Sequence, residues 1–88
     1  MGNKRILFFS SSSCKACKSF RPIVEKIAKE FGYVFNYIDV NKEPAVAMTY
    51  EVMSGLPITV VENDEQIYRK VGASSEERFR KEIQDNIG

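Results

Sequence analysis

The two cysteines of this chain, Cys14 and Cys17, are separated by two residues and follow a run of four serines. Thiols at this spacing bind metal ions, pack as small apolar side chains, or form a disulfide that opens and closes. Each of these three alternatives needs different surroundings, so the rest of the sequence has to distinguish them.

A metal site is poorly supplied with ligands. Structural zinc and iron–sulfur sites usually take four protein ligands, and a catalytic zinc takes three. The chain offers two thiols and no histidine, so we expect no metal within one monomer, and a site shared across a dimer stays an alternative. Inert buried cysteines are the other alternative, but the pair follows polar serines at a strand-to-helix junction rather than lying on a regular apolar face.

A working dithiol agrees with the local physics. Cys14 lies at the predicted N-terminal end of a helix, where free backbone N–H groups and the helix dipole stabilise a thiolate. Lys15 and Lys18 add positive charge nearby, which favours the same ionised form. Cys17, one turn further along, is expected to be more buried and protonated. We therefore predict that Cys14 attacks a disulfide and that Cys17 resolves the mixed disulfide, with no bound cofactor because the sulfurs carry the electrons.

The composition is that of an ordinary globular domain. The 88 residues are 43% hydrophobic and 28% charged with a net charge of +1, so we expect one domain over residues 1–88 that binds neither nucleic acid nor membranes. The longest apolar runs, Ile6–Phe9 and Ile58–Val61, are too short to span a bilayer. Because no stretch near Met1 has the length of a signal-peptide core, we expect a cytoplasmic protein, and permanent structural disulfides are rare in that compartment.

Hydrophobic periodicity predicts an α/β fold with the element order β-α-β-α-β-β-α. The predicted strands are Lys4–Phe9, Tyr33–Val40, Ile58–Val61 and Gln66–Val71, and the predicted helices cover Lys15–Phe31, residues 44–53 and a last segment capped by Ser74 or Ser75. The first two strands, joined by a helical crossover, are expected to be parallel, and the last two to form an antiparallel hairpin. One sheet covered on both faces satisfies all of these patterns.

The first predicted helix, Lys15–Phe31, has the clearest sequence pattern. Apolar residues recur at steps of three and four from Ala16 to Phe31, which predicts one buried face. Pro22 lies inside this helix and is expected to kink it, and Gly32 is expected to end it.

Further motifs follow the cysteines in a fixed order. Lys18 comes directly after the second cysteine, and Pro22 lies five residues past it. Ser54–Thr59 is similar to an R-G-I-P-T segment, Asn63–Ile67 to a hairpin turn, and Lys70–Ala73 to a K-V-G-A sequence. All of these are features of thioredoxins at matching spacing, so the chain resembles the thioredoxin family from residue 4 to its end.

The resemblance implies a thioredoxin-like fold, with a four-stranded mixed sheet flanked by three helices. It also implies reduction of protein disulfides through the redox-active pair Cys14 and Cys17. The implied partners are disulfide-containing protein substrates and a thioredoxin-reductase-like electron donor, and we expect a monomer.

The same resemblance assigns a substrate-binding surface. Pro57 matches the family's cis-proline, which faces the disulfide, and cis peptides are almost wholly a proline feature. The backbone of Leu56 and Ile58 is expected to pair with an extended substrate peptide by strand addition. Gly72 is expected to let the partner backbone approach, and Ser13 to lie beside the reactive sulfur.

The departures from the family concern how the chemistry is tuned. Thioredoxins usually begin with an extra strand and helix, for which this chain has no room. The W-C-G-P-C motif is replaced by Ser13–Cys17, which removes the tryptophan. Phe8 stands where thioredoxins carry a buried Asp, and Tyr37 stands where they carry its Lys partner. Because a phenyl ring is no base, we predict that Cys17 is strongly protonated at neutral pH and that resolution is slow.

Two other functions are compatible with the dithiol. A glutaredoxin-type oxidoreductase would use glutathione, but Leu56–Pro57 and Val71–Ser74 lack the Thr-Val-Pro and Gly-Gly-x-Asp segments of glutaredoxins. A non-catalytic interaction module with the thioredoxin fold would show no turnover.

Overall fold

The computed structural model describes residues 3–52 and 55–87, and these residues form four strands and three helices in the predicted order. In chain order the elements are β1 Lys4–Ser10, α1 Lys15–Phe31, β2 Val34–Asp39, α2 Pro44–Thr49, β3 Ile58–Asn63, β4 Gln66–Val71 and α3 Glu76–Asn86.

The strands form one mixed sheet in the spatial order β2-β1-β3-β4. β1 and β2 are parallel, and β1 and β3 as well as β3 and β4 are antiparallel. The pairing aligns four residues across the sheet, Tyr37, Phe8, Thr59 and Lys70, which we call the cross-strand row. Directly paired residues project to the same face of a sheet, so these four side chains share one face.

Each face of the sheet covers its own apolar core. On the face of the cross-strand row, α1 and α3 contribute buried residues such as Phe20, Val24, Ile27, Phe79 and Ile83, which pack on Ile6, Phe8 and Val61. On the other face, α2 contributes Ala47, which packs with Leu7, Phe9, Ile38, Val52, Ile58 and Val60. The two cores confirm the predicted sheet covered on both sides, because every strand places alternate side chains in opposite layers.

α1 begins and ends where the sequence predicts. Gly32 ends it in the left-handed conformation with φ 76°, which glycine adopts without a Cβ clash. Pro22 lies inside the helix as expected. Ala16, expected on the apolar face, is exposed, and Cys17 takes the buried position in its place.

α2 is shorter than predicted. The helix ends at Thr49 rather than at residue 53, and residue 53 itself lies outside the described part of the chain. Glu51 has φ 57°, which lies in the left-handed region and breaks the helix. The turn lets Val52 reach the core, where its backbone N–H donates to the Ala47 carbonyl at 2.8 Å.

α3 confirms one of two predicted caps. The Ser75 hydroxyl accepts a hydrogen bond from the Arg78 backbone N–H at 3.2 Å, so Ser75 and not Ser74 is the N-cap.

Among the residues of the described ranges, no helix has the length and apolarity needed to cross a membrane.

Candidate active site

Cys14 is the N-cap residue of α1. β1 ends at Ser10, and the short loop that follows it brings the chain to the helix, where the Cys14 N–H donates to the Ser11 carbonyl at 3.2 Å. The Cys14 backbone is extended, with φ −88° and ψ 106°, and its Sγ accepts a hydrogen bond from the Cys17 backbone N–H at 3.2 Å. A helix N-terminus therefore donates directly to this sulfur, which is the arrangement that stabilises negative charge on it.

Cys14 and Cys17 form a disulfide in this structure, with their Cα atoms 5.3 Å apart. The two sulfurs differ in environment. Cys14 is half-buried, whereas Cys17 is 1% exposed and belongs to the core between α1 and the sheet. A thiolate that arrives from solvent therefore meets Cys14 first.

The charges at the start of α1 are positive. Lys15 and Lys18 are exposed, and the first turn contains no acidic residue. One turn further on, the Arg21 guanidinium carbon lies 4.0 Å from the centroid of the Tyr37 ring, and its Nε donates to Glu25 at 2.7 Å. The cationic lysines thus reinforce the helix dipole at the cysteine end of α1.

The Leu56–Pro57 peptide bond is cis, as the resemblance implies. Pro57 is buried and immediately precedes Ile58, which pairs with Phe9 near the carboxyl end of β1. The Pro57 carbonyl accepts a hydrogen bond from the Gly72 N–H at 2.8 Å, and Gly72 has φ 88°, a conformation that favours glycine. Because Ile58 pairs with Phe9, just before the loop that leads from β1 to Cys14, this segment lies at the same end of the sheet as the disulfide.

Ile58 and Ser13 occupy different surroundings from each other. Ile58 is 2% exposed and has paired residues on both sides, Phe9 in β1 and Val71 in β4. A peptide that pairs with the Ile58 backbone would have to displace sheet contacts, because β3 is an inner strand. Ser13 is exposed, and its hydroxyl lies 3.3 Å from the Ser11 hydroxyl.

Two aromatic residues, Phe8 and Tyr37, lie on the sheet face that packs against Cys17 and its core. Phe8 is fully buried in the core that contains Cys17, and it lies opposite Tyr37 in the sheet, with the ring centroids 6.2 Å apart. The resemblance predicts that these two residues occupy the positions of the family's Asp and Lys, and the register shows that they are neighbours in the sheet. The Tyr37 hydroxyl donates to the Ser10 Oγ at 3.3 Å, and Ser10 is 2% exposed.

Lys70, the last residue of the cross-strand row, forms a buried ion pair with Glu82. Lys70 is 7% exposed, and its Nζ donates to Glu82 Oε1 at 2.8 Å. Burial by itself raises the pKa of Glu82, but the hydrogen bond and charge of Lys70, with a second bond from Arg78, outweigh it and hold the pKa below its usual range. Glu82 can make this contact because its side chain points from α3 towards β4.

Sequence reasoning missed two residues near the site. Val71 is 65% exposed beside Gly55 and Gly72, and its alternation within β4 was the signal for an outward apolar side chain. Thr59 is fully buried, and the sequence signal for its burial was that it shares a strand face with Val61 two residues later.

Across residues 3–52 and 55–87, no three His, Cys, Asp or Glu side chains form a group that would hold a metal ion.

Known proteins share this architecture and sequence pattern. The thioredoxin family model matches residues 2–85. A thioredoxin of Buchnera aphidicola from Acyrthosiphon pisum is 28% identical over 81 residues, which cover 90% of this chain and 75% of that protein. The thioredoxin of Buchnera aphidicola from Baizongia pistaciae is 31% identical over 74 residues, covering 82% of this chain and 68% of that protein.

Solved structures agree with the sequence matches. A mutant thioredoxin from Halobacterium salinarum superposes with a TM-score of 0.84 at 26% identity, covering 98% of this chain and 76% of that one. Mitochondrial thioredoxin 3 of Saccharomyces cerevisiae, in its oxidised form, superposes with a TM-score of 0.78 at 28% identity, covering 94% of this chain and 78% of that one. With a Cys14–Cys17 pair at the start of α1, this chain belongs to the thioredoxin family and is a protein thiol–disulfide oxidoreductase.

Proposed function

We propose that this protein reduces disulfides in protein substrates, with Cys14 as the nucleophile and Cys17 as the resolving thiol. The observation that carries the assignment is the asymmetry of the pair. Cys14 is half-buried and receives a backbone hydrogen bond on its sulfur, whereas Cys17 is 1% exposed.

The reaction has two exchange steps. The Cys14 thiolate attacks one sulfur of the substrate disulfide, so that a mixed disulfide forms and the other substrate sulfur leaves as a thiolate. Cys17 then loses its proton and attacks Cys14 Sγ, which closes the Cys14–Cys17 disulfide and releases the second substrate sulfur. The substrate gains two electrons and, after protonation, two protons, and the enzyme is left oxidised.

Lys15 and Lys18 favour the first step by stabilising the Cys14 thiolate together with the helix dipole. The substrate backbone is proposed to lie along Leu56, Pro57 and Gly72, with Ser13 at the edge of this surface. The exposed side chain of Val71 extends the surface with an apolar contact. Ile58 supports it from within the sheet.

A thiol donor must reduce the Cys14–Cys17 disulfide after each turnover, and we propose a thioredoxin-reductase-like enzyme for this role. A reductase dithiol is useful where such a donor keeps it reduced, which favours the cytoplasm. Both sulfurs come from one chain, so a monomer is sufficient for the exchange.

The test is reduction of insulin disulfides by dithiothreitol in the presence of the protein. We expect the wild-type protein to accelerate the reaction and Cys14→Ser to leave it at the uncatalysed rate. Cys17→Ser should accumulate a mixed disulfide through Cys14 that dithiothreitol releases. A wild-type rate equal to the uncatalysed rate would contradict the proposal.

The electron donor is tested separately on the oxidised protein. We expect a thioredoxin reductase with NADPH to reduce it faster than glutathione does. Fast reduction by glutathione, together with activity of Cys17→Ser on glutathione mixed disulfides, would instead establish the glutaredoxin-type function.

A further inference from the structure

The Thr59 hydroxyl is a buried polar group without a protein partner. Its side chain is fully buried, and its Oγ1 has no hydrogen-bond partner among the residues that the structure describes. Buried polar groups are almost always hydrogen-bonded, because an unpaired one forfeits its bonds to water. A threonine at a position where valine would fit therefore calls for a partner that forms under some other condition.

The position of Thr59 narrows the choice of partner. Thr59 lies in the cross-strand row between Phe8 and Lys70 and follows Pro57 by two residues on the same face. Phe8 has no polar atom in its side chain, and the Lys70 ammonium is bound to Glu82. Cys17 packs in the core that contains Phe8.

The chemistry of Cys17 changes with the redox state. In the disulfide its sulfur is a weak acceptor and carries no proton, whereas a thiol donates weakly and a thiolate accepts strongly. Two unbonded sulfurs also need more room than a disulfide gives them, so reduction must separate them. Since Cys17 is 1% exposed, its sulfur has little freedom to move outward to solvent.

We propose that the Thr59 hydroxyl is the hydrogen-bond partner of the Cys17 sulfur in the reduced protein. Reduction adds two electrons and two protons to the Cys14–Cys17 disulfide and creates two thiols. The Thr59 bond forms only on that side of the equilibrium, and it strengthens when Cys17 becomes a thiolate during resolution. Thr59 is thus a positioning residue that stabilises the dithiol form and supports the resolving step where Phe8 supplies no base.

The size of the effect follows from one net hydrogen bond. Removing it should shift the dithiol–disulfide equilibrium constant about fivefold towards the disulfide, which corresponds to about 1 kcal/mol. The variant would be the stronger reductant at equilibrium and the slower one in resolution.

The experiment titrates the full chain against dithiothreitol redox buffers and compares the equilibrium constant of wild type with that of Thr59→Val. Valine keeps the volume and removes the hydroxyl, so packing changes little. Thr59→Ala is a second variant, and its cavity costs stability in both redox states and cancels in the equilibrium constant. Both variants should favour the disulfide about fivefold.

The matched control is Ser10→Ala. Ser10 also has a buried hydroxyl on this face of the sheet, but the Tyr37 hydroxyl already bonds to it in the disulfide form. Its removal should destabilise both forms alike and leave the equilibrium constant unchanged.

An equilibrium constant for Thr59→Val and Thr59→Ala equal to that of wild type would overturn the inference, since Thr59 would then be bonded equally in both forms, for example to a buried water. The inference rests on the proposed redox cycle of Cys14 and Cys17. A wild-type disulfide that cannot be reduced would contradict that cycle itself, whereas a reversible wild type with unchanged variants contradicts only the role of Thr59.

Discussion

At the scale of single residues, the surroundings of Cys17 control how this enzyme works. Cys17 is 1% exposed, and its core includes the fully buried, apolar ring of Phe8. An apolar environment disfavours a charged sulfur, because burial removes its solvation. The resolving step must therefore form a Cys17 thiolate in surroundings that disfavour its negative charge.

This environment predicts that Cys17 stays protonated through neutral pH. In the reduced Cys14→Ser variant, the remaining thiol is Cys17. Its alkylation rate should rise only when the pH reaches or exceeds the ordinary cysteine pKa of about 8.5. The measurement is the alkylation rate as a function of pH. Cys17→Ser, which keeps Cys14 at the helix N-terminus, is the control and should react at lower pH. A Cys17 that ionises below neutrality would contradict this prediction.

At the scale of elements, an ion pair links α3 to β4 at the edge of the sheet. Lys70 of β4 and Glu82 of α3 are bonded at 2.8 Å, and Arg78 adds a second bond to the Glu82 carboxylate at 3.2 Å. Lys70 is 7% exposed, so its ammonium depends on this carboxylate more than a surface lysine would. The pair lies at the end of the row that contains Thr59.

This contact predicts a pH-dependent loss of stability in Glu82→Gln. The folded-state pKa of Glu82 is lowered, so the carboxylate stabilises the fold above its unfolded value of about 4.5, and this stabilisation disappears as the pH falls through the folded value. At pH 7 the variant should lose about 1–3 kcal/mol, and its difference from wild type should shrink in acid.

Urea unfolding of both proteins at several pH values measures this difference. Glu65→Gln, at an exposed position in the β3–β4 turn, is the control and should change stability little at any pH. A difference between Glu82→Gln and wild type that grows in acid would have the wrong sign and would refute the role of the pair.

At the scale of the whole molecule, stability comes from two apolar layers that share one sheet. The layer under α1 and α3 is the larger one, and in it Phe79 of α3 contacts Phe20 of α1 edge to face, with the ring centroids 5.4 Å apart. Phe20 lies one turn after Cys17 on α1, so the packing of α3 also supports the helix that carries the dithiol. The layer under α2 is smaller and includes Val52.

Phe79→Ala is therefore predicted to cost about 3–5 kcal/mol, because it empties a fully buried position at which α1 and α3 meet. Such a loss is a large fraction of the 5–15 kcal/mol typical of small domains. Denaturant unfolding of the oxidised protein measures it. Ile67→Ala removes a large apolar side chain that is 65% exposed, and it should stay within about 0.5 kcal/mol of wild type. Equal losses for the two variants would be inconsistent with this division of the core.

The predictable part of the fold is the part set by local patterns. The spacing of apolar residues, Cys14 before the helix and Gly32 after it are sufficient for α1, since each acts within a few residues of the chain. The end of α2 was not predictable, because Pro44–Thr49 is a short helix and Glu51 reverses the backbone in a conformation that its residue type does not favour. The burial of Ala16 was also predicted wrongly, because both Ala16 and Cys17 fit a stripe of apolar residues.

The sequence by itself determined the chemistry of this protein, since a pair of thiols at the start of a helix acts through neighbours close in the chain. It also predicted, through the resemblance to thioredoxins, that Phe8 and Tyr37 stand where the family carries a charged pair, and the tertiary structure shows that the two residues are paired neighbours in the sheet. Only the tertiary structure decided which polar groups are buried together. The ion pair of Lys70 with Glu82 and the unpartnered hydroxyl of Thr59 depend on contacts between distant segments, and alternation along a strand does not show which groups they will meet.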